Sequence, residues 1–509
     1  MVEAVLDGLL RVLQPDALLY MLLGVFIGFW VGILPGIGGV TTLALMLPFV
    51  YGMEPVQAFA FLLGMHSVVA TTGDLTSILF GIPGEGLSAA LVLDGHAMAK
   101  KGEAGRALGA NLMSSLVGAL VGAAALALAI PVVRPLVLSF GSPELFMLTV
   151  MGIAFIASLS GRGARGLARG AAAGALGLLL SAVGQDPQAG ILRYTFGQLY
   201  LWGGIDLVPA VVGFFAIPEI LDLMVRRSSI AASGPTGKLV GVWEGVKDCF
   251  RHLGLTLRCS VIGAFIGIMP GLGGGVAQWM SYGHAVQSAK TAEERERFGK
   301  GDVRGVLGPG AANNSKEGGA LIPTVAFGVP GSSAMAVLLG GFFLTGLVPG
   351  PDMLTKHLPV TYSMVWTLAL ANVVTVALCF PLLPYLARLT TIRATRLAPF
   401  LLLLVFVGAY TANNSWGDIV VALLFGALGY AMLRFRWPRA PLVLGLVLGD
   451  LAERYLWISV ARYGWDWLGR PGVVVLAGLT LAVLVYPFLQ EWRERRATQL
   501  LHREVAHAD

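Results

Sequence analysis

Apolar residues run along this chain in stretches of membrane length, and glycine and proline interrupt them at matched places. The stretch from Leu18 to Val50 reads as membrane apart from GILPGIGG at 32–39. A helical span needs roughly 20 apolar residues, and the recurring stretches predict about 12 spans with shorter broken segments between them. A transmembrane barrel would alternate apolar and polar positions. These stretches do not, so the expected fold is an all-α polytopic membrane protein. Composition agrees: 13% of residues are charged and mean hydropathy is +0.77, where a soluble domain carries about 25% charged residues. The N-terminus carries acids but no basic n-region or small-residue cleavage site, so the first span is expected to act as its own insertion signal.

The interruptions repeat. Gly28, Gly32, Pro35, Gly36, Gly38 and Gly39 match Gly263, Gly267, Pro270, Gly271, Gly273 and Gly274, an offset of 235 residues (270 − 35). FGIPGEGLSA from Phe80 matches FGVPGSSAMA from Phe327, an offset of 247 (330 − 83). The extra 12 residues (247 − 235) fit a charged insertion, SAKTAEERERFGKGDVRG at 288–305. One Pro-Gly break could be ordinary glycine packing between helices; two matched pairs predict two repeats. The expected layout is a first repeat at 1–230, a second at 231–460, and a last span with a basic cytoplasmic tail at 461–509.

Charge gives the repeats a direction. The formal net charge is +6, but basic residues in a membrane protein mark cytoplasmic loops rather than a nucleic-acid partner. Lys100, Lys101 and Arg106 follow the second break of the first half. Lys238, Lys247, Arg251 and Arg258 precede the first break of the second half, and Lys290, Arg295, Arg297, Lys300 and Arg304 lie between its two breaks. The two halves are therefore expected to face opposite ways. Loops near 131–142, 184–197 and 412–418 carry few basic residues and fall outside. Cys249, Cys259 and Cys379 have no metal-ligand spacing and read as buried filler.

Inverted repeats with broken helices are the architecture of secondary transporters. A helix N-terminus presents unpaired N–H groups and roughly half a positive charge, so at membrane depth it binds an anion without a buried cation. The C-terminus ahead of the break offers carbonyls suited to Na⁺ or H⁺ coupling. Irregular backbone survives at that depth only where protein or a water-filled cavity surrounds it, so a central cavity is expected. The breaks nominate Gly36, Gly38, Gly39, Pro83 and Gly84, then Gly271, Gly273, Gly274, Pro330, Gly331 and Ser332, as substrate-binding backbone. Nearby polar side chains add Asn313, Asn314 and Lys316 toward substrate, and Thr71, Thr72, Asp74 and Asn314 toward the coupling ion. Ionisable residues at membrane depth are costly and functional by default. For Asp74 the structural alternative is a cap on the following helix. Lys316 and Glu317 either hold a substrate carboxylate with its counter-charge or mark a surface loop. His66 reads first as a packing histidine, ahead of a proton carrier.

At these residues the chain resembles a known family. GILPGIGG, DGHAMAKKGEAGRALG at 94–109, IGIMPGLGG, AANNSKEGGALIP at 311–323, FGVPGS and GLVPGPDML at 346–354 are similar to motifs of the tripartite tricarboxylate transporters, specifically the large membrane subunit (TctA type). The resemblance implies a bacterial or archaeal inner-membrane permease that imports a di- or tricarboxylate on a cation gradient, Na⁺ or H⁺, with no other cofactor. It also implies two partners, a small membrane subunit (TctB type) and a periplasmic solute-binding protein (TctC type). The chain departs from the family pattern in Thr72-Gly73-Asp74, Gly81, Gly310, His284, and the Lys316–Glu317 pair, where small residues are common. Three rivals are a one-component transporter of the same fold, a channel, and an intramembrane enzyme. The last has no His-Glu-x-x-His or Gly-x-Ser-x-Gly motif to support it, and no enzyme is expected.

Overall fold

The structure, a computed structural model, describes every residue except 34–37, 82–88, 160–162, 187–188, 227–238, 270–272, 390–397, 483, 486–487 and 489–509. The first half begins with α1 (Val2–Val12), α2 (Pro15–Gly32), α3 (Gly39–Met46) and α4 (Pro55–Phe80). Short α5 (Ala89–Leu91), a π-helical turn (Val92–His96) and α6 (Ala97–Lys100) lead to α7 (Ala104–Ser139), α8 (Ser142–Leu159), α9 (Gly163–Ser181) and α10 (Leu207–Arg226). The second half holds α11 (Val242–Arg251), α12 (Leu253–Ile268), α13 (Gly273–Gln287), α14 (Ala292–Arg297), α15 (Arg304–Phe327) and α16 (Ser333–Leu344). It closes with α17 (Leu358–Leu389), α18 (Ala398–Asn413), α19 (Trp416–Arg434) and α20 (Ala440–Tyr463). Among the described residues the one strand pairing is Gly184–Gln185 on Leu192–Arg193.

Five described helices are long and apolar enough to cross a bilayer, or six if α11 and α12, bent by 80°, count as one broken span. Large apolar side chains stay exposed, among them Phe26 and Trp30 on α2 and Val261 and Phe265 on α12. Soluble monomers rarely leave such surface uncovered, and hydrocarbon is its natural solvent. The chain is an all-α, multi-pass membrane protein.

Helices stop and restart where the Pro-Gly pattern says they should. One interruption falls between Gly32 and Gly39, another between Ile268 and Gly273. α4 ends on Gly81 (φ 66°) and α15 on Gly328 (φ 69°), both left-handed, the conformation glycine adopts at least cost after a helix. Gly36, Pro83, Gly84 and Gly271 lie outside the described residues. Two helices run further than proline would suggest. α7 continues through Pro131 and Pro135 to Ser139, so this loop is shorter than the 131–142 read from sequence. α15 continues through Pro309 and Pro323. Neighbouring helices can support the backbone that a buried proline leaves unpaired.

Glycine also decides the packing. On α2, Gly28 sits against the backbone of Met65 and Gly32 against Val69; on α12, Gly263 sits against Ala312 and Gly267 against Lys316. Ala312 and Lys316 lie 247 residues after Met65 and Val69, so the contacts correspond position by position. A Cβ at any of these glycines would collide with the facing helix. Bilayer helices lack a hydrophobic drive toward one another, and small residues let dispersion hold them together. α15 is clasped from its other side by Gly118 and Gly122 of α7, against Ala311 and Ser315.

The chain forms two compact units, 1–137 with 208–430, and 138–207 with 431–509. Each draws on both halves of the sequence. The first carries all four helix interruptions. In the second, α8, α9 and α20 pack on one another through glycines such as Gly170 against Ala157 and Gly445 against Gly174. Arg193 grips Glu453 through two hydrogen bonds of 2.7 and 2.9 Å, and Arg470 donates to Glu144 at 2.7 Å.

Candidate functional site

The site is built where α4, α15 and α17 meet inside the first unit. α4 is unlike the other long apolar helices: 89% of its apolar window is buried inside the protein, against 33–44% for the other four. α15 is enclosed from Gly305 to Ala326. Polar side chains on these helices therefore face protein rather than lipid, and must find partners there.

They find one another. Asn313 Nδ2 donates to both Asp74 carboxylate oxygens at 3.1 and 3.2 Å and to the Ala70 carbonyl at 3.3 Å. Asn314 Nδ2 donates to Thr71 Oγ1 at 2.7 Å and to Asn372 Oδ1 at 2.8 Å. Asn372 in turn donates to the Leu368 carbonyl at 2.9 Å, which fixes its amide. Lys316 Nζ is bonded to Glu317, and Glu317 Oε2 lies 3.1 Å from His66 Nε2. That last pair is close enough for electrostatic contact but is not aligned as a hydrogen bond. Thr71, Asp74, Asn313, Asn314, Lys316, Glu317, His66 and Asn372 are all buried.

Several sequence expectations come together here and some do not. Asp74 lies inside α4, six residues before its end, so it caps no helix. Lys316 is buried in α15 and marks no surface loop. Thr72 turns away: its hydroxyl donates to the Val68 carbonyl at 2.9 Å, and it faces Gly32 of α2. Ser332 is the N-cap of α16, its hydroxyl accepting the Met335 N–H at 3.3 Å. Gly331 sits against Ala320 and Gly267, which brings the described break of the second half beside the Lys316–Ala320 turn. Pro330 is buried with it. Gly38 is the N-cap of α3, whose first residue is Gly39, and Gly273 and Gly274 open α13. The polar groups close on one another, and a cavity of about 620 Å³ lies elsewhere, under the charged insertion.

The oxygen atoms left over are informative. Asn313 Oδ1 and Asn314 Oδ1 are buried and have no hydrogen-bond partner. Hard cations take oxygen ligands, and with Asp74 and Thr71 these oxygens form a donor set of the right chemistry for one. Two residues of the network carry little signal in sequence. Asn372 is a lone amide in an apolar run, TLALANVVTV, and its isolation is the clue. His66 was readable as either packing or proton chemistry until Glu317 stood beside it.

A second polar cluster lies at the charged insertion. Asp94, in the π-helical turn, accepts the Gly301 N–H at 2.7 Å, the Asp302 N–H at 2.9 Å and the Tyr282 hydroxyl at 2.9 Å. Arg304 bridges Asp302 and Glu294, each at 2.9 Å. Burial pushes the Asp302 carboxyl up, but hydrogen bonds and charge from Arg304 outweigh it and hold the group below its ordinary value. The same guanidinium lowers Glu294.

A model of the tripartite tricarboxylate transporter TctA family matches residues 18–444. The chain belongs to that family. An uncharacterised 52.8 kDa protein in the TAR-I ttuC' 3' region of Agrobacterium vitis is 33% identical to this TctA-family chain over 497 residues, covering 96% of each. A second uncharacterised protein, in the TAR-II ttuC' 3' region of the same organism, is 31% identical over 237 residues, 46% of this chain and 97% of its own length. No solved structure matches the chain.

Proposed function

We propose that this TctA-family protein is the large permease subunit of a binding-protein-dependent system that imports a di- or tricarboxylate across the inner membrane of a bacterium or archaeon, driven by a cation. The observation that carries the reading is the buried network of Asp74–Asn313, Thr71–Asn314–Asn372 and His66–Glu317–Lys316. Buried polar groups at membrane depth mark substrate and ion pathways, and the helix breaks adjoin this one. Substrate carboxylates meet helix N-termini at the breaks (Gly36, Gly38, Gly39, Pro83, Gly84, Gly271, Gly273, Gly274, Pro330, Gly331, Ser332) together with Asn313, Asn314 and Lys316. The coupling cation meets Thr71, Asp74 and Asn314. The position-by-position glycine contacts and the paired left-handed glycines support two repeats, 1–230 and 231–460, and the basic-loop pattern supports their inversion. The family's transporter character supports transport rather than enzymatic chemistry, and its tripartite character supports TctB-type and TctC-type partners.

The test is uptake of labelled citrate and succinate into proteoliposomes. Na⁺ and pH gradients are compared, with and without the small membrane subunit and the solute-binding protein. Gradient-driven uptake that needs the binding protein is the expected result. Gradient-driven uptake by this chain alone would replace the tripartite reading with a one-component one. Absence of uptake of either acid with all subunits present would overturn the substrate claim.

A further inference from the structure

We propose that His66 is a proton-binding group of the transport cycle, and that a proton enters it with each carboxylate bound. The inference rests on the carboxylate reading above. His66 is 5% exposed. Its Nε2 faces Glu317, and its Nδ1 has no hydrogen-bond partner. An imidazole so buried normally satisfies both nitrogens, so an orphan nitrogen beside a carboxylate is a place where a proton can be added.

Charge decides when it is added. Glu317 is already paired with Lys316. With His66 neutral the three side chains sum to zero; with His66 protonated they carry one positive charge. A lone charge at bilayer depth is costly, so the added charge calls for a compensating one. A carboxylate arriving beside Lys316 and the Asn313–Asn314 amides supplies the compensating negative charge. Substrate and proton then favour one another, and the favour is reciprocal. In the chemical step a proton moves from solvent onto an imidazole nitrogen and returns to solvent once the substrate has left.

Few other titratable groups compete for this role. α2, packed along α4, brings Asp16 and Tyr20, and Asp16 is held at the start of α4 by Gln57. α1 brings Glu3, Asp7 and Arg11, of which Asp7 and Arg11 pair with each other. The π-helical turn brings Asp94, engaged by the insertion, and His96, 3.2 Å from the Ile78 carbonyl; α6 adds Lys100. α17 brings Tyr362, Cys379, Tyr385 and Arg388, and α15 adds Arg304 at its far end. α3, α5 and α16 bring none. On α4 itself, Asp74 lies eight residues beyond His66 against Asn313, about 12 Å along the axis.

The repeat sharpens the assignment. Asn313 crosses from α15 to the Ala70 turn of α4. The residue 247 positions before Asn313 is His66, and the one 247 positions after Ala70 is Glu317. One crossing contact therefore carries an amide in one direction and an imidazole–carboxylate pair in the other. The amide side suits a cation or a carboxylate, and the imidazole side suits a proton.

The experiment measures labelled succinate uptake by the complete complex at fixed, equal Na⁺, with and without an inward pH gradient. The wild type is expected to respond several-fold. His66→Gln keeps a polar side chain that cannot titrate; whatever succinate uptake it retains is expected to show no pH response. A pH response that survives in His66→Gln would overturn the inference, as would a wild type that takes up succinate and citrate but ignores the pH gradient. Absence of uptake of both acids by the wild type would overturn it together with the carboxylate reading. A second measurement needs no variant: succinate added to unbuffered wild-type complex near neutral pH should be accompanied by proton uptake from solution, and none taken up would contradict the proposal.

Discussion

Asp74 and Asn372 show how differently one residue can announce itself. Asp74 is a carboxylate in an apolar stretch, and membrane energetics alone flags it. Its contact with Asn313, 239 positions away, could not be read, because nothing local specifies which amide will meet it. If Asp74 holds the coupling cation, Asp74→Asn removes the charge but keeps the shape, and Na⁺ stimulation of uptake should fall at least about tenfold, or about 1.4 kcal/mol. Unchanged stimulation, measured by the slope of initial rate against Na⁺, would contradict that role. Asn372 offers only an uncharged amide on α17. Asn372→Ala leaves the Asn314 amide one acceptor short, at a cost of about 1–3 kcal/mol, and the purified protein should unfold at a lower temperature in a thermal-shift assay. Lys316 and Glu317 were legible as unusual but not as buried, since a charged pair beside glycines fits a surface loop equally well.

At the scale of elements, the Pro-Gly and Phe-Gly patterns located the interruptions because glycine and proline act on the backbone directly. The course of α7 and α15 through their prolines was not legible, because that tolerance comes from neighbouring helices. The same neighbours make the glycines sensitive. Gly267→Leu drives a side chain into the Lys316 backbone, and overpacking of that kind costs about 1–3 kcal/mol. Its yield of monodisperse protein should fall well below that of Gly283→Ala on α13, where no atom stands near. The charge of the stretch at 288–305 was legible, but its anchor was not. Asp94 holds the backbone at 301–302 from 207 residues away. Asp94→Ala should expose this loop and speed tryptic cleavage after Arg297 or Lys300 by about tenfold, if loop opening limits cleavage. The lowered Asp302 and Glu294 carboxyls set the pH dependence. Their contribution is complete above the ordinary carboxylate range and is lost only as pH falls through their lowered values. Amide exchange at 299–303 should therefore stay slow through mildly acidic pH, after correction for intrinsic rates, and rise only below it.

Across the whole molecule, hydropathy identified the class but not the number of crossings. The sequence reads as about 12 spans, while five or six helices among the described residues meet the length and polarity demanded of one. Helices buried among other helices, such as α15, need not be apolar, and a hydropathy window cannot tell them from loops. Nor do the compact units follow the repeat boundaries, since helices from both halves pack together. The central claim is that substrate and cation meet where α4, α15 and α17 join. Its most direct test is the half-saturation concentration of labelled citrate and succinate in counterflow for Asn314→Ala, with Gln198→Ala, exposed in a loop, as a control. The account predicts at least about tenfold weaker apparent affinity for Asn314→Ala and an unaltered control. Wild-type affinity in folded Asn314→Ala would contradict it.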